Sequence, residues 1–233
     1  MMNLSIVTGT LNRRDFLPGL LHNTVYIDER IELIVVDGGS TDGTLEYLSQ
    51  QSCDRLKVIE IGKRSSYPHF MNEGLRISSH EYVCQWNDDV LMASPWDVVF
   101  DVLKEPYNVF IFHWARGTLE DACDLNAWRC KTKKWIVYCG PDAYCMNFGV
   151  YRKNVFREVG MYSPSYQYYH ADRDMTERAR LFKKTVRECP EIQVLELRTA
   201  KRARVHIDDE NILKDHLAQY RRGIIPTHIE MLT

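Results

Sequence analysis

Two adjacent aspartates, Asp88 and Asp89, follow directly on the apolar run that ends at Trp86. Like charges repel, and burial behind a strand adds to the cost of ionising either one. A divalent cation removes that cost. Carboxylate oxygens suit hard ions such as Mg2+ and Mn2+, whose remaining ligands are typically waters and substrate phosphate oxygens. Taken alone, Asn87-Asp88-Asp89 fits a solvated turn that merely stops the strand just as well. A second acid, Asp37, ends the run Ile34-Val35-Val36 and precedes Gly38-Gly39-Ser40-Thr41-Asp42. An acid at a strand tip can accept hydrogen bonds from a base or ribose, and the glycines let the backbone approach a ligand. A plain strand-to-helix turn, with Asp42 serving the first turn of the helix, is the alternative. A third acidic group, Asp172-Arg173-Asp174, opens a segment of helical spacing, where an N-cap role is the plain reading.

Elements that could bring these groups together are legible in the first half. Leu4 to Thr8, Ile31 to Val36, Leu56 to Ile61 and Glu81 to Trp86 are strand-length apolar runs. Segments of helical spacing lie between them, from about Arg13 to Asn23, through Leu45 and Leu48, and from His69 to Ser78. Ser40-Thr41-Asp42 supplies an N-cap cluster for the second of these. Strands alternating with helices imply an α/β fold with a mostly parallel central sheet flanked by helices on both faces. Ligands in such sheets sit outside the carboxyl ends of the strands. The residues just past the runs are Thr8-Gly9-Thr10, Asp37-Gly38-Gly39-Ser40 and Asn87-Asp88-Asp89, polar in every case.

The second half is less regular. Val109 to Trp114, Asn147 to Tyr151, Gln193 to Leu197 and Ala203 to Ile207 read as strands. Asp172 to Phe182 and Asp209 to Tyr220 read as helices, the latter with Leu213, Leu217 and Tyr220 on one face. The chain of 233 residues is expected to form one domain, in a first half over about 1–90, a second over about 91–207, and a C-terminal helix and tail over about 208–233.

Bulk properties remove several function classes. A net charge of -2 and pI near 6.4 give no general attraction to nucleic acid or anionic membrane, so any anion must be recognised locally. The apolar runs are far shorter than the ~20 residues that span a bilayer. Neither a transmembrane segment nor a secretory signal is expected, and a cytoplasmic setting follows. The seven cysteines (53, 84, 123, 130, 139, 145 and 189) contain no Cys-x-x-Cys pair, so reduced, mostly buried thiols are expected.

In order and spacing the chain resembles the inverting family-two glycosyltransferases of the GT-A fold. The resemblance is carried by Leu4-Ser5-Ile6-Val7-Thr8 with Asn12-Arg13, the Val35 to Thr44 stretch, Asn72-Glu73-Gly74-Leu75, Glu81-Tyr82-Val83 and Asn87-Asp88-Asp89. Phe148 to Arg152, Val159-Gly160-Met161-Tyr162 and Asp172 to Arg178 extend it, so that it covers roughly residues 3 to 180. It implies transfer of a sugar from a UDP- or GDP-linked donor to an acceptor hydroxyl, on a glycan or elsewhere, with Mn2+ or Mg2+ as cofactor, the half over about 1–90 binding the nucleotide and that over about 91–207 the acceptor. Thr8, Thr10, Asn12, Asp37, Gly38, Asn72 and Asp88 would contact the nucleotide sugar. Asp89 would hold the metal with His206 as a late ligand, and Asp172 would be the catalytic base, with Asp174 a weaker candidate.

Two positions depart from the family pattern. Gly38 stands where a second acid is common, which bears on base recognition, and Met71 stands where Arg is common. Lys63 or Arg64 would then supply a missing contact. Trp114, Trp128, Trp135, Tyr144 and Tyr166 could stack on sugar rings, although core packing is the commoner use of such residues. Two other readings remain open on the residues: a nucleotidyltransferase that makes the sugar nucleotide, and a non-catalytic sugar-binding protein. Thr8-Gly9-Thr10-Leu11-Asn12 fits the first poorly, and Asp88, Asp89 and Asp172 argue against the second.

Overall fold

The computed structural model describes residues 2–117, 146–167, 169–197 and 209–233. Four parallel strands form the first part of a sheet: β1 (Leu4–Thr10), β2 (Ile31–Asp37), β3 (Leu56–Glu60) and β4 (Tyr82–Gln85). Their register aligns Thr10 with Asp37 and Asp37 with Glu60, while Trp86 N donates to the Val7 carbonyl at 3.0 Å. The carboxyl ends of the strands therefore share one edge. Beyond β4 the sheet continues through β7 (Gly149–Arg152), β6 (Val109–Gly117), β8 (Val186–Leu197) and β5 (Val90–Met92), giving the order β3-β2-β1-β4-β7-β6-β8-β5 among the described residues. β7 and β5 run antiparallel to their neighbours, and β6 and β8 are parallel.

Alternation along the strands sends apolar side chains to both faces. Leu4, Ile6, Leu33 and Val35 meet α1 (Leu17–Asn23), α2 (Thr44–Ser49) and α4 (Trp96–Val102) in one core. Val7, Ile34, Val36 and Val83 meet α3 (Tyr67–Ile77), α5 (Lys153–Val159), α6 (Ala171–Leu181) and α7 (Asp209–Tyr220) in the other. The expected mostly parallel sheet with helices on both faces is thus present. Among the described residues no helix is long and apolar enough to cross a membrane.

Several elements differ from the sequence expectation. Pro18 sits in the first turn of α1, and the expected helix from Arg13 divides into a 3-10 turn at Arg14–Phe16 and α1. α4 was not expected, because Trp-Asp-Val-Val-Phe-Asp-Val is rich in β-formers. It is a helix because Pro95 precedes it and Trp96, Val99, Phe100 and Leu103 share a buried stripe. β8 is longer than Gln193 to Leu197, its first part disguised by Arg187, Glu188 and Pro190. A register shift opposite Phe112 and His113 accommodates residues 190–192 without a ladder bond from Pro190. β5 and α5 also lie outside the sequence expectation. The strand expected over 203–207 falls outside the described residues.

Candidate active site

Side-chain hydrogen bonds join the loops that leave β1 and β2. Asn12 N donates to Ser40 Oγ at 2.9 Å, Thr41 N to Asn12 Oδ1 at 2.8 Å, and Arg14 N to Asp42 Oδ2 at 3.0 Å. Asn12 occupies the left-handed region at φ 54, a conformation that Asn tolerates better than most residues. Asp37 is fully buried, and its Oδ2 accepts from Gly39 N at 2.8 Å and Ser40 N at 2.9 Å while Oδ1 accepts from the Ser40 hydroxyl. Its carboxylate therefore fixes the shape of its own loop. Thr10 Oγ1 donates to Asp88 Oδ2 at 2.9 Å, tying the tip of β1 to the residues after β4.

A cleft of about 290 Å³ opens at this edge, lined by Thr10, Arg13, Arg64, Tyr67, Phe70 and Asp88 among others. Phe70 projects from the first turns of α3 across both loop glycines. A Cβ on Gly9 would stand 2.9 Å from its ring Cγ, and one on Gly38 would stand 3.0 Å from its Cζ. The ring thus occupies space that a side chain at position 38 would need. α3 can lie this close because Gly74, about one turn farther along, packs against Val7.

Asp88 and Asp89 are 9% and 2% exposed, and Arg13 Nη2 lies 3.6 Å from Asp89 Oδ2. Among the described residues no three His, Cys, Asp or Glu side chains cluster tightly enough to ligate a metal unaided. Two adjacent oxygen donors beside an open cleft nonetheless fit a hard divalent ion that draws its other ligands from water and a diphosphate. His206, the expected late ligand, lies outside the described residues.

Asp172 stands in the first turn of α6. Its Oδ1 accepts from Arg173 N at 2.8 Å. Asn147, with its amide nitrogen facing the carboxylate, donates to Oδ2 at 2.6 Å and accepts from Trp114 Nε1 at 3.1 Å. Burial pushes the Asp172 carboxyl above the ordinary aspartate range, opposed by the helix amides and by His170 and Arg173. Its segment is tied to the cleft, since Tyr67 N donates to the Gln167 carbonyl at 2.8 Å and Gln167 and Tyr169 donate from their backbones to Asp209. Burial raises the Tyr67 phenol, and the nearby Asp172 carboxylate raises it further.

Asp174 is spent elsewhere. Its Oδ1 accepts from Tyr166 at 3.1 Å and Tyr220 at 2.8 Å and lies 2.9 Å from His216 Nδ1, while Oδ2 faces Arg178 at 3.3 Å, all in the core.

The structure gathers Thr10, Asp37, Gly38, Asp88 and Asp89 at one edge, with Asn12 bracing the loops beside them. Thr8 is buried within β1, its hydroxyl on the Gly9 carbonyl at 3.3 Å. Asn72 lies away from the cleft: its amide is used twice by the backbone of Tyr162, donating to the carbonyl at 2.9 Å and accepting from the amide at 3.0 Å. Arg64 rather than Lys63 lines the cleft; the Lys63 backbone packs behind Gly39 after the turn at Gly62, φ 72. Tyr166 is fully buried and has no free face for a sugar, while Trp128, Trp135 and Tyr144 lie outside the described residues. Cys84 and Cys189 are buried free thiols and Cys53 is half-buried; the other four cysteines lie outside the described residues. Arg13, Tyr67, Phe70 and Asn147 were not singled out as site residues from sequence. Only Arg13, beside Asn12, carried a local signal.

Comparisons with known proteins agree with this fold. The sequence profile described as Glycosyl transferase family 2 matches residues 5–172. No curated protein sequence matches the chain. Among solved structures, the mannosyltransferase PcManGT from Pyrobaculum calidifontis, in complex with GDP-Man and Mn2+, is similar with a TM-score of 0.64 at 17% identity, over 96% of this chain and 66% of that one. TarS from S. aureus, in complex with UDP, is similar with a TM-score of 0.68 at 15% identity, over 94% of this chain and 65% of that one. At such identities the likeness is one of fold, and this chain spans just under two thirds of either neighbour's length. With the profile covering most of its length and the acids gathered at the strand tips, the chain belongs to glycosyl transferase family 2.

Proposed function

We propose that the protein transfers a sugar from a UDP- or GDP-linked donor to an acceptor hydroxyl by a metal-assisted single displacement with inversion. The observation that carries this reading is the pair Asp88 and Asp89 after β4, with Asp88 lining a cleft whose other wall, Tyr67, is tied to the segment bearing the half-buried Asp172. Asp88 and Asp89 would hold Mg2+ or Mn2+, which when bound offsets the charge gathering on the departing diphosphate. Arg13 and Arg64 place further positive charge along the same wall. Phe70 and Tyr67 supply ring faces for the nucleoside or sugar, in keeping with an apolar pocket floor.

In the transfer, the bond between the anomeric carbon and the diphosphate oxygen breaks as the acceptor oxygen bonds to that carbon. The acceptor proton passes to the Asp172 carboxylate. Burial suits Asp172 to this task, since a raised pKa makes a carboxylate a better base than an exposed aspartate. The sign of the pH dependence follows. Protonated Asp172 cannot accept the proton, so the rate falls on the acid side, with its midpoint above the ordinary aspartate range.

The test is a panel of nucleotide sugars including UDP-glucose and GDP-mannose, read by thermal shift and donor hydrolysis with and without Mn2+. At least one donor is expected to stabilise the protein in a metal-dependent way. Asp89→Ala removes that dependence, whereas Asp172→Asn retains donor binding and loses about 10²- to 10⁴-fold in turnover. A donor response indifferent to divalent ions, or full turnover by Asp172→Asn, overturns the reading.

A further inference from the structure

Asn147 precedes β7 on a backbone held from both sides. Gln85 Nε2, at the end of β4, donates to the carbonyls of Met146 at 3.0 Å and Asn147 at 2.8 Å. Met146 N donates to Thr176 Oγ1 at 3.0 Å, and that hydroxyl donates to the Asp172 carbonyl at 2.8 Å. Phe148 packs edge-on against Trp114 with ring centres 5.5 Å apart, and against Trp86 at 5.9 Å. With the backbone so placed, the Asn147 amide stands between an indole N–H, which can only donate, and a carboxylate, which when ionised can only accept. One orientation satisfies both, oxygen to Trp114 Nε1 at 3.1 Å and nitrogen to Asp172 Oδ2 at 2.6 Å.

We propose that Asn147 is the positioning residue of Asp172, with Trp114 as the lock on its amide, so that the carboxylate keeps one orientation toward the acceptor hydroxyl. This rests on the reading of Asp172 as the base. Asn147 touches neither donor nor acceptor in this role. It acts through the carboxylate.

The groups facing Asp172 make its contribution separable. From its own segment come the positive charges of Arg173 and of His170 when protonated; from α3 and from the loop after α5 come the neutral phenols of Tyr67 and Tyr162. Asn147 adds a side-chain donor that is worth more to the ionised form than to the protonated one. Removing it leaves burial less opposed, so the carboxyl holds its proton to higher pH.

The experiment is a ¹³C-carboxyl NMR titration of the full chain, with the Asp172 signal identified by its loss in Asp172→Asn. Asn147→Leu is expected to move that titration upward by about one pH unit, and Trp114→Phe to move it less in the same direction. Asn147→Ser, which restores a donor, brings it part of the way back. In Mn2+-dependent hydrolysis of GDP-mannose or UDP-glucose, whichever the panel selects, Asn147→Leu lowers kcat about tenfold on the acid side. KM is unchanged, and the loss shrinks as pH rises. A titration unmoved in both Asn147→Leu and Trp114→Phe overturns the inference while leaving the proposed function standing if Asp172→Asn is inactive. Wild-type turnover by Asp172→Asn overturns both.

Discussion

An added Cβ at Gly38 would lie 3.0 Å from Phe70 Cζ and 3.5 Å from the Thr10 carbonyl, so the aromatic ring and the missing side chain are two sides of one arrangement. Restoring an acid there must displace the ring. Gly38→Asp is expected to lower stability by about 1–3 kcal/mol, the usual cost of overpacking, and to weaken nucleotide binding. Part of the stability should return in the Gly38→Asp, Phe70→Leu pair, measured by urea unfolding. Equal losses in the single and paired variants would mean that the ring is not the obstruction. The acids themselves were legible in the sequence, because Asp37, Asp88 and Asp89 each follow a buried run. Phe70 and Asn147 were not. Phe70 reads as one more apolar residue on a helix face, and the group formed by Gln85, Trp114, Asn147 and Asp172 comes from four separate segments.

Among the elements, the amino-terminal side of the sheet has its own fastening around Glu32. Its Oε2 accepts from Ser5 Oγ of β1 at 2.7 Å and from Ser79 N at 2.9 Å, and its Oε1 accepts from Ser79 Oγ at 2.8 Å and faces Lys57 Nζ of β3 at 2.5 Å. Burial alone would raise this carboxyl, but Lys57, the Ser79 amide and the two hydroxyls outweigh it and hold the group down at about 2, against an ordinary value of 4.5. A depressed folded-state value adds stability above the ordinary value that is lost as pH falls from 4.5 toward 2. The contribution is roughly 3 kcal/mol at neutral pH. Glu32→Gln should therefore lower the thermal midpoint at pH 7 and narrow its gap to wild type as pH approaches 2. A gap that stays constant over that range would exclude the linkage. The alternation that placed β1 to β4 was strong because each strand is a short β-branched run closed by polar residues. It failed at α4 and β8, where composition points one way and tertiary packing the other: β-formers fill a helix that buries its stripe, and charged residues and Pro190 sit in a strand whose partner shifts register to receive them.

At the scale of the whole molecule, the helices α5, α6 and α7 are held together by a buried charge network around Arg178. Arg178 is fully buried, and its guanidinium donates to the carbonyls of Val159 at 2.9 Å and Met161 at 2.7 Å while facing Asp174, which in turn meets Tyr166, His216 and Tyr220. One side chain thereby joins α5, α6 and α7. The C-terminal tail closes over the same loop, with Met161 N on the Glu230 carbonyl at 2.8 Å and Leu232 N on the Phe156 carbonyl at 3.2 Å. Removing one partner of such a pair strands the other in a low-dielectric interior, typically at a cost of 3–5 kcal/mol. Arg178→Met also orphans two carbonyls, so it should cost no less than Asp174→Asn, in which an amide can still accept from the tyrosines. The cleft that would take the nucleotide is walled by the β1 and β4 tips and by α3 with the loop before it, so its affinity should depend little on this network. Arg178→Met at a temperature where it remains folded is expected to bind UDP or GDP within about threefold of wild type by calorimetry, an energetic difference under 1 kcal/mol, while its thermal midpoint drops by several degrees. If nucleotide affinity instead fell in step with stability, the cleft and the α5–α7 face would be one cooperative unit, and the network would have to be counted as part of the cleft.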